Sequence, residues 1–238
     1  MKKLAVLAVA GLATSSALAQ TIRAFGGNFR DGQGGEFLVQ TGSGSAGLTG
    51  LASDVLPADA VVNNSRGAFV AGGEFFMTFC LELDEPLTFG VEYDVQASDS
   101  ARDGGLGGPS PDPINAETAY LSTNFRRGTL ATAYDYTGSA AGRAADGMAL
   151  QDAIWAFEEE IGVSGLSGKA LDFYNEALNA VSSGAWVGIG NVRALNTTRI
   201  DSTGALINGQ DVLTIIPLPT GSALALVGLA GVSIRRRR

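Results

Sequence analysis

Cys80 is the only cysteine in 238 residues, and histidine is absent. No disulfide can close a loop within the chain, and no CxxC pair exists for redox exchange. Zinc sites built on thiolates and imidazoles are excluded, as are Ser-His and Cys-His catalytic pairs. Whatever this chain folds into is therefore held without disulfides or thiolate–imidazole zinc. The composition permits that: 45% of residues are hydrophobic and the mean hydropathy is +0.17, outside the disordered class. The length suits one well-filled core.

The two ends read as addresses rather than fold. Lys2 and Lys3 precede an apolar run and then Ala17-Leu18-Ala19, the layout of a secretory signal cleaved before Gln20 by signal peptidase. At the other end Pro217-Leu218-Pro219 precedes an uncharged apolar stretch and Arg235, Arg236, Arg237 and Arg238. Residues 215–234 number 20, just enough to enter and cross a bilayer with the arginines on the cytoplasmic side. This tail resembles the PEP-CTERM sorting signal recognised by exosortase-type proteases, with Leu218 where that family has Glu. The resemblance implies transient insertion in the inner membrane of a Gram-negative-type bacterium, then delivery to the cell surface or medium. A plain tail anchor is the alternative. The expected organisation is a signal peptide over 1–19, an extracytoplasmic body over 20–214 and a sorting tail over 215–238.

Setting the ends aside sharpens the charge. The body keeps ten basic residues against 24 acidic ones, a net charge of −14, and its only lysine is Lys169. A body this acidic excludes nucleic acid as a partner. It is compatible with a polysaccharide matrix or divalent cations.

Hydrophobic periodicity predicts an α+β fold, an antiparallel β core with a helical insert at about 117–181. Residues 74–83 alternate, with Phe75, Met77, Phe79, Leu81 and Leu83 on one face and Phe76, Thr78, Cys80 and Glu82 on the other, less apolar one. Residues 87–95 are expected to pair with them across Asp84-Glu85-Pro86. Helices are expected over 117–127, stopped by Gly128, after an N-cap at Asp146, and over 169–181 with a stripe of Leu171, Tyr174, Leu178 and Val181. In the second helix Leu150, Ala153, Ile154, Phe157 and Ile161 form the stripe, and Gln151 lies beside it, one turn from Trp155. Strands are expected again at 192–195 and 211–215.

Two motifs carry chemistry: Phe79-Cys80 on a strand, and Gln151-Asp152-Ala153-Ile154-Trp155 on a helix. Together they resemble the thioester domains of bacterial surface adhesins, which pair an aromatic-Cys strand with a Gln-x-Ala-Ile-Trp helix; Leu150 stands where that family often has Thr. The resemblance implies an internal bond between Cys80 and Gln151 that surface amines or hydroxyls could open, making a covalent adhesin. A thiolate can attack a preorganised amide without histidine. The competing reading is a structural biofilm or envelope protein with no chemistry, in which Cys80 is a small buried hydrophobe and Gln151 a polar helix residue; exopolysaccharide would be its partner.

Other candidates are weaker. Glu158, Glu159 and Glu160 read as a solvated helix face. Asp99, Asp103 and Asp112 offer oxygen ligands without EF-hand spacing. Gly104-Gly105-Leu106-Gly107-Gly108 lacks the Lys-Ser/Thr ending of a phosphate loop. Asn63 and Asn196 match the glycosylation pattern. No cofactor, metal site or enzyme activity is read from the sequence, and a carboxylate hydrolase is the least favoured class because no facing pair can be identified.

Overall fold

A computed structural model describes residues 20–25, 30–31, 34–42, 75–136 and 140–216. The expected signal peptide, Asn63, Pro217, Pro219 and the four terminal arginines lie outside the described residues. No helix among the described residues is long and apolar enough to cross a membrane.

In chain order the elements are β1 (Gln20–Phe25), β2 (Arg30–Asp31), β3 (Gly34–Gly35), β4 (Phe37–Thr41), β5 (Phe75–Thr78), β6 (Glu92–Ser98), β7 (Ser100–Ala101) and β8 (Asp112–Pro113). Three helices follow, α1 (Ala116–Arg127), α2 (Ala140–Phe157) and α3 (Gly168–Ser182), and then β9 (Val192–Ile200) and β10 (Leu206–Ile215). The fold is α+β. Six strands make one antiparallel sheet in the order β10-β9-β6-β1-β4-β5, and β2–β3 and β7–β8 form small separate ladders.

The alternation of residues 75–81 is real, but the strand changes partner part-way. Up to Thr78 it pairs with β4, Thr78 standing opposite Phe37. Cys80 instead stands opposite Val212 of β10. Leu81 N–H donates to Asp211 O at 3.0 Å and Leu213 N–H to Phe79 O at 3.3 Å. The two edges of the sheet thus meet, and six strands close into a small barrel with no open edge at this point.

β4, β5 and the second half of β10 are buried on both faces, whereas β6 keeps Glu92, Asp94 and Gln96 exposed. Ile22, Val39, Phe76, Cys80, Leu195 and Val212 share the interior cluster, and cross-strand register places Val39 beside Phe76 and Val212 beside Leu195. The opposite faces, with Leu38, Met77, Phe79 and Leu213, meet Leu121, Phe125, Leu150, Ile154 and Phe173 of the helices. The face of Cys80 is therefore not a polar exterior but the barrel lining.

Three expectations are corrected. Residues 87–95 do not pair with 74–83: β6 pairs with β1 and β9, across the barrel from β5. Pro86 lacks an N–H donor, and the chain here crosses the barrel's end. It is tied there by Gln210 N–H to Pro86 O at 3.3 Å and Gly90 N–H to Ala24 O at 2.8 Å, while Leu87, Phe89 and Val91 plug the interior. Asp146 is not an N-cap, because the Ala-rich stretch before it propagates α2 back to Ala140; its carboxylate instead accepts from Asp135 N–H at 2.8 Å and from Lys169. On α3 the buried stripe is Ala170, Phe173 and Ala177, and Leu178 is exposed. Small alanines let α3 approach α2 closely, so the larger neighbours turn outward.

Helix α1 stops at Gly128 as expected, with Gly128 N–H bonded to Phe125 O and Thr129 N–H to Asn124 O. The last strand begins at Leu206, ahead of its expected start, and ends at Ile215 as expected. Ile215 is buried opposite Val192, and Ile216 N–H donates to Asn191 O at 2.9 Å. Two residues counted with the apolar tail thus belong to the fold.

Between β3 and β4 the chain turns on a buried ion pair. Glu36 is fully buried and accepts from Arg143 Nε at 2.9 Å and from the Tyr134 hydroxyl, and Arg143 is 1% exposed. Removing one partner of such a pair strands a charge in a dry site. Arg143→Met is expected to lower the unfolding free energy by about 3–5 kcal/mol in urea denaturation, whereas a loss under about 1 kcal/mol would show that Glu36 finds other compensation.

Candidate functional site

At Cys80 the strand has just left β4 and joined β10. Its neighbours in sequence carry the hydrogen bonds to β10, so the N–H and C=O of Cys80 itself point to the other side, where β4 would have been. The ladder with β4 ends at the Phe37–Thr78 pair, and Glu36 before it is held in the ion pair with Arg143. The gap is filled by a side chain. Cys80 N–H donates to Gln151 Oε1 at 3.0 Å, and Gln151 Nε2 donates to Cys80 O at 2.9 Å. A primary amide has the donor and acceptor spacing of a peptide group, so Gln151 extends the ladder by one rung.

The two residues singled out from sequence, Cys80 and Gln151, are thus brought together. Gln151 is fully buried and Cys80 is 7% exposed. Trp155, one turn along α2, joins the barrel lining beside Cys80. Gly34 presses against this pair: a Cβ there would meet Trp155 Cη2 at 2.7 Å and Gln151 Cγ at 2.9 Å. Only glycine lets β3 lie this close to α2.

Cys80 opens on a cavity of about 730 Å³ at the end of the barrel. Phe37, Phe89, Leu87 and Trp155 give it apolar walls, and Glu85 and Gln210 add polar groups. The indole N–H of Trp155 and one oxygen of Glu85 are buried without a hydrogen-bond partner.

Behind this wall lies a group of acids. Glu82 is 2% exposed, and one of its oxygens accepts from Gln210 Nε2 at 2.9 Å. Burial first, then Asp211 and Glu85, pushes the Glu82 carboxyl up to about 10. Burial, then Asp211 and Asp103, raises Glu85 to about 7. Asp211 is also raised by burial, although Arg102 N–H and Thr197 N–H donate to its carboxylate at 2.7 and 2.9 Å. Glu82 is therefore a neutral acid at pH 7.

No family model, curated protein or solved structure matches the chain. The chemistry rests on the residues themselves.

The remaining sequence candidates have structural work. Glu158 and Glu160 are buried, not a solvated face. The helix ends at Phe157, so these carboxylates leave the helical pattern and serve other backbone groups. Glu158 accepts from Asn115 N–H at 3.2 Å and from the Thr118 hydroxyl at the start of α1. Burial raises it to about 7. Glu160 accepts from Leu83 N–H at 3.0 Å and Leu106 N–H at 3.1 Å. That explains the glycine-rich loop, since a Cβ on Gly105 would meet Glu160 Oε1 at 1.9 Å. Asn196 is buried and its amide donates to Asp211 at 2.7 Å, so it is no glycosylation acceptor in the folded chain. Among the described residues no group of three or more acids or cysteines could hold a metal ion, and Asp99, Asp103 and Asp112 form none.

Sequence reasoning passed over Glu82, Glu85 and Gly34. Glu82 carried a signal: an acid in phase with Cys80 on an apolar strand. Two outcomes follow. Gly34→Ala is expected to destabilise the chain by about 1–3 kcal/mol, as overpacking does, and to disturb Trp155 fluorescence; unchanged melting and emission would mean that β3 can retreat freely. The second concerns pH. Glu82 keeps its proton in the fold up to about 10, against 4.5 ordinarily, so the folded state binds more protons than the unfolded chain across that window. Stability is then fully present below pH 4.5 for this group and falls as pH rises toward 10. Thermal melts between pH 5 and 9 should show this decline, and Glu82→Gln should flatten it. A variant with the parent's slope would assign the decline elsewhere.

Proposed function

We propose that this chain is an exported surface protein whose body forms an internal thioester between Cys80 and Gln151 and uses it for covalent adhesion. The observation that carries the reading is the docking of the Gln151 amide on the Cys80 main chain, 3.0 and 2.9 Å, at the head of a cavity. The Cys80 N–H is a fixed donor on the carbonyl oxygen that would become negative as sulfur adds to Gln151 Cδ. Bond formation is an acyl transfer: the Sγ–Cδ bond forms, the Cδ–Nε2 bond breaks, and the thiol proton leaves with the nitrogen as ammonia. The donor to the carbonyl oxygen is retained in the product, and only the Nε2 hydrogen bond to Cys80 O is given up.

Burial of Gln151 keeps bulk water from the acyl carbon, and the single lysine of the body is held by Asp146. An amine or hydroxyl on a surface partner would approach from the cavity, which Cys80 lines and Gln151 does not, and would be acylated once Gln151 is uncovered. Sorting by the PEP-CTERM-like tail is supported by the two ends read above.

A second reading, a structural envelope or biofilm component without chemistry, is favoured by a specific fact. The Cys80–Gln151 contact satisfies both amide groups of Gln151 as an ordinary side chain. Intact mass separates the two. The purified chain should be lighter by one ammonia than the sum of its residues, Cys80→Ser and Gln151→Ala should show full mass, and methylamine should add at Gln151. Full mass with freely alkylated Cys80 would sink the adhesin and leave the structural reading. For localisation, removing residues 217–238 should abolish surface delivery, and unchanged delivery would refute the sorting role.

A further inference from the structure

The fold fixes the place where the chain leaves it. Ile215 is buried opposite Val192, and Ile216 N–H donates to Asn191 O at 2.9 Å. The exit is thus fastened to the loop that joins α3 to β9. From Ser182 to Val192 that loop carries no charged residue, although the body around it is rich in acids. Val187 is 82% exposed, more than any other large apolar side chain among the described residues. Beside it Ala185 is exposed, and Trp186 and Ile189 are half-buried.

The loop is braced. Trp186 N–H donates to Ala180 O at 3.0 Å, its indole N–H donates to Gly188 O at 2.9 Å, and its ring meets Tyr120 of α1 edge-on. Val192 N–H closes the far side on Ile189 O at 3.0 Å. Gly184, Gly188 and Gly190 take the positive φ angles that turn the chain around Val187. An apolar side chain held outward by so many main-chain bonds needs a partner that is itself apolar.

The length of chain beyond the exit says which. Residues 217–234 are uncharged and number 18, and Arg235 to Arg238 follow. As a helix they would reach about 27 Å, against about 30 Å for a hydrocarbon core. With 217–221 extended the reach would be about 36 Å, still short of the about 40–45 Å of a whole bilayer. With the arginines in the far headgroups, no linker remains to hold the body away from the membrane.

We propose that residues 185–189 form a lipid-contact surface that seats the body on the bilayer while the tail spans it, an inference that rests on the reading of the tail as a membrane-entering segment. Val187 enters the outer edge of the acyl chains, and Trp186 lies at headgroup level, where indole rings are favoured. β10 runs from Gln210 in the cavity wall to Ile215 at the exit. A body seated on this loop therefore turns the end that holds the Cys80 cavity away from the membrane.

The test uses residues 20–238, the chain freed of its signal segment, in phosphatidylcholine vesicles with and without lipid brominated near the headgroup end of its acyl chain. Bromine quenches indole fluorescence on contact, and flotation first establishes that the chain is bound. The chain has two tryptophans, and Trp155 is buried in the barrel, so quenching that is lost in Trp186→Phe reports the loop. Brominated lipid should quench the wild type, and Val187→Asp, which still floats through its tail, should lose that quenching. A wild-type chain that floats without being quenched would overturn the loop contact and leave the tail reading standing. Undiminished quenching in Val187→Asp would overturn it too, because the apolar tip would not be what seats the loop. A blue shift that follows the protein-to-lipid ratio without quenching would give this face to a second copy and overturn the lipid contact. A wild-type chain that does not float would remove the tail reading and this inference together.

Discussion

Inside a protein, a strand that exchanges one neighbour for another leaves a peptide group with nothing to bond, and each such orphan costs about 1–3 kcal/mol. The strand through Cys80 makes that exchange in order to close the barrel. Gln151 supplies the missing rung, bonding both the N–H and the C=O of Cys80. Much else is arranged around the rung. The ladder with β4 ends at Phe37, beside the Glu36–Arg143 pair, Gly34 lets β3 lie over the glutamine, and α2 is oriented so that Gln151 and Trp155 face the barrel while Leu150 and Ile154 face the helices. Helix α2 is consequently buried on two sides, which is why its sequence is apolar nearly all round.

The same rung bears on the chemistry. A glutamine needed only for hydrogen bonding would serve whatever side chain stood at position 80, because it reads the backbone. Here it sits beside the only cysteine of the chain. The contact positions the amide carbonyl under a main-chain donor, and the adjoining side chain is the single thiol of the sequence. The proposed reactivity would place on residue 151 the same demand that the fold already makes.

The acids change the meaning of the net charge. Formal counting makes the body strongly negative, yet Glu82, Glu85 and Glu158 are raised to about 10, 7 and 7, by burial first and then by neighbouring acids. Part of the formal charge is therefore carried as neutral acid at pH 7. The acids gather at the barrel's end and at the junction of α2 with α1, where backbone N–H groups would otherwise be unpaired. Acidic composition here reflects internal hydrogen-bond acceptors as well as a solvated surface.

What could be read from the sequence follows the range of each signal. Alternation from Phe75 to Leu81 is a local property and survives intact, as do the helical insert and the stop at Gly128. The change of partner at Thr78 leaves no local mark, since one strand pattern serves either neighbour, and the sequence alone favours the nearest segment as the pair. Burial by Ala170 and Ala177 was missed because a stripe is sought among large residues, whereas helices approach closest through small ones. Glu158 and Glu160 were misread because exposure is inferred from residue type, while their role depends on where α2 ends. The nearness of Cys80 and Gln151 was legible only through the paired motifs. Nothing in either segment alone predicts it, and the closed barrel is what turns two distant motifs into one contact.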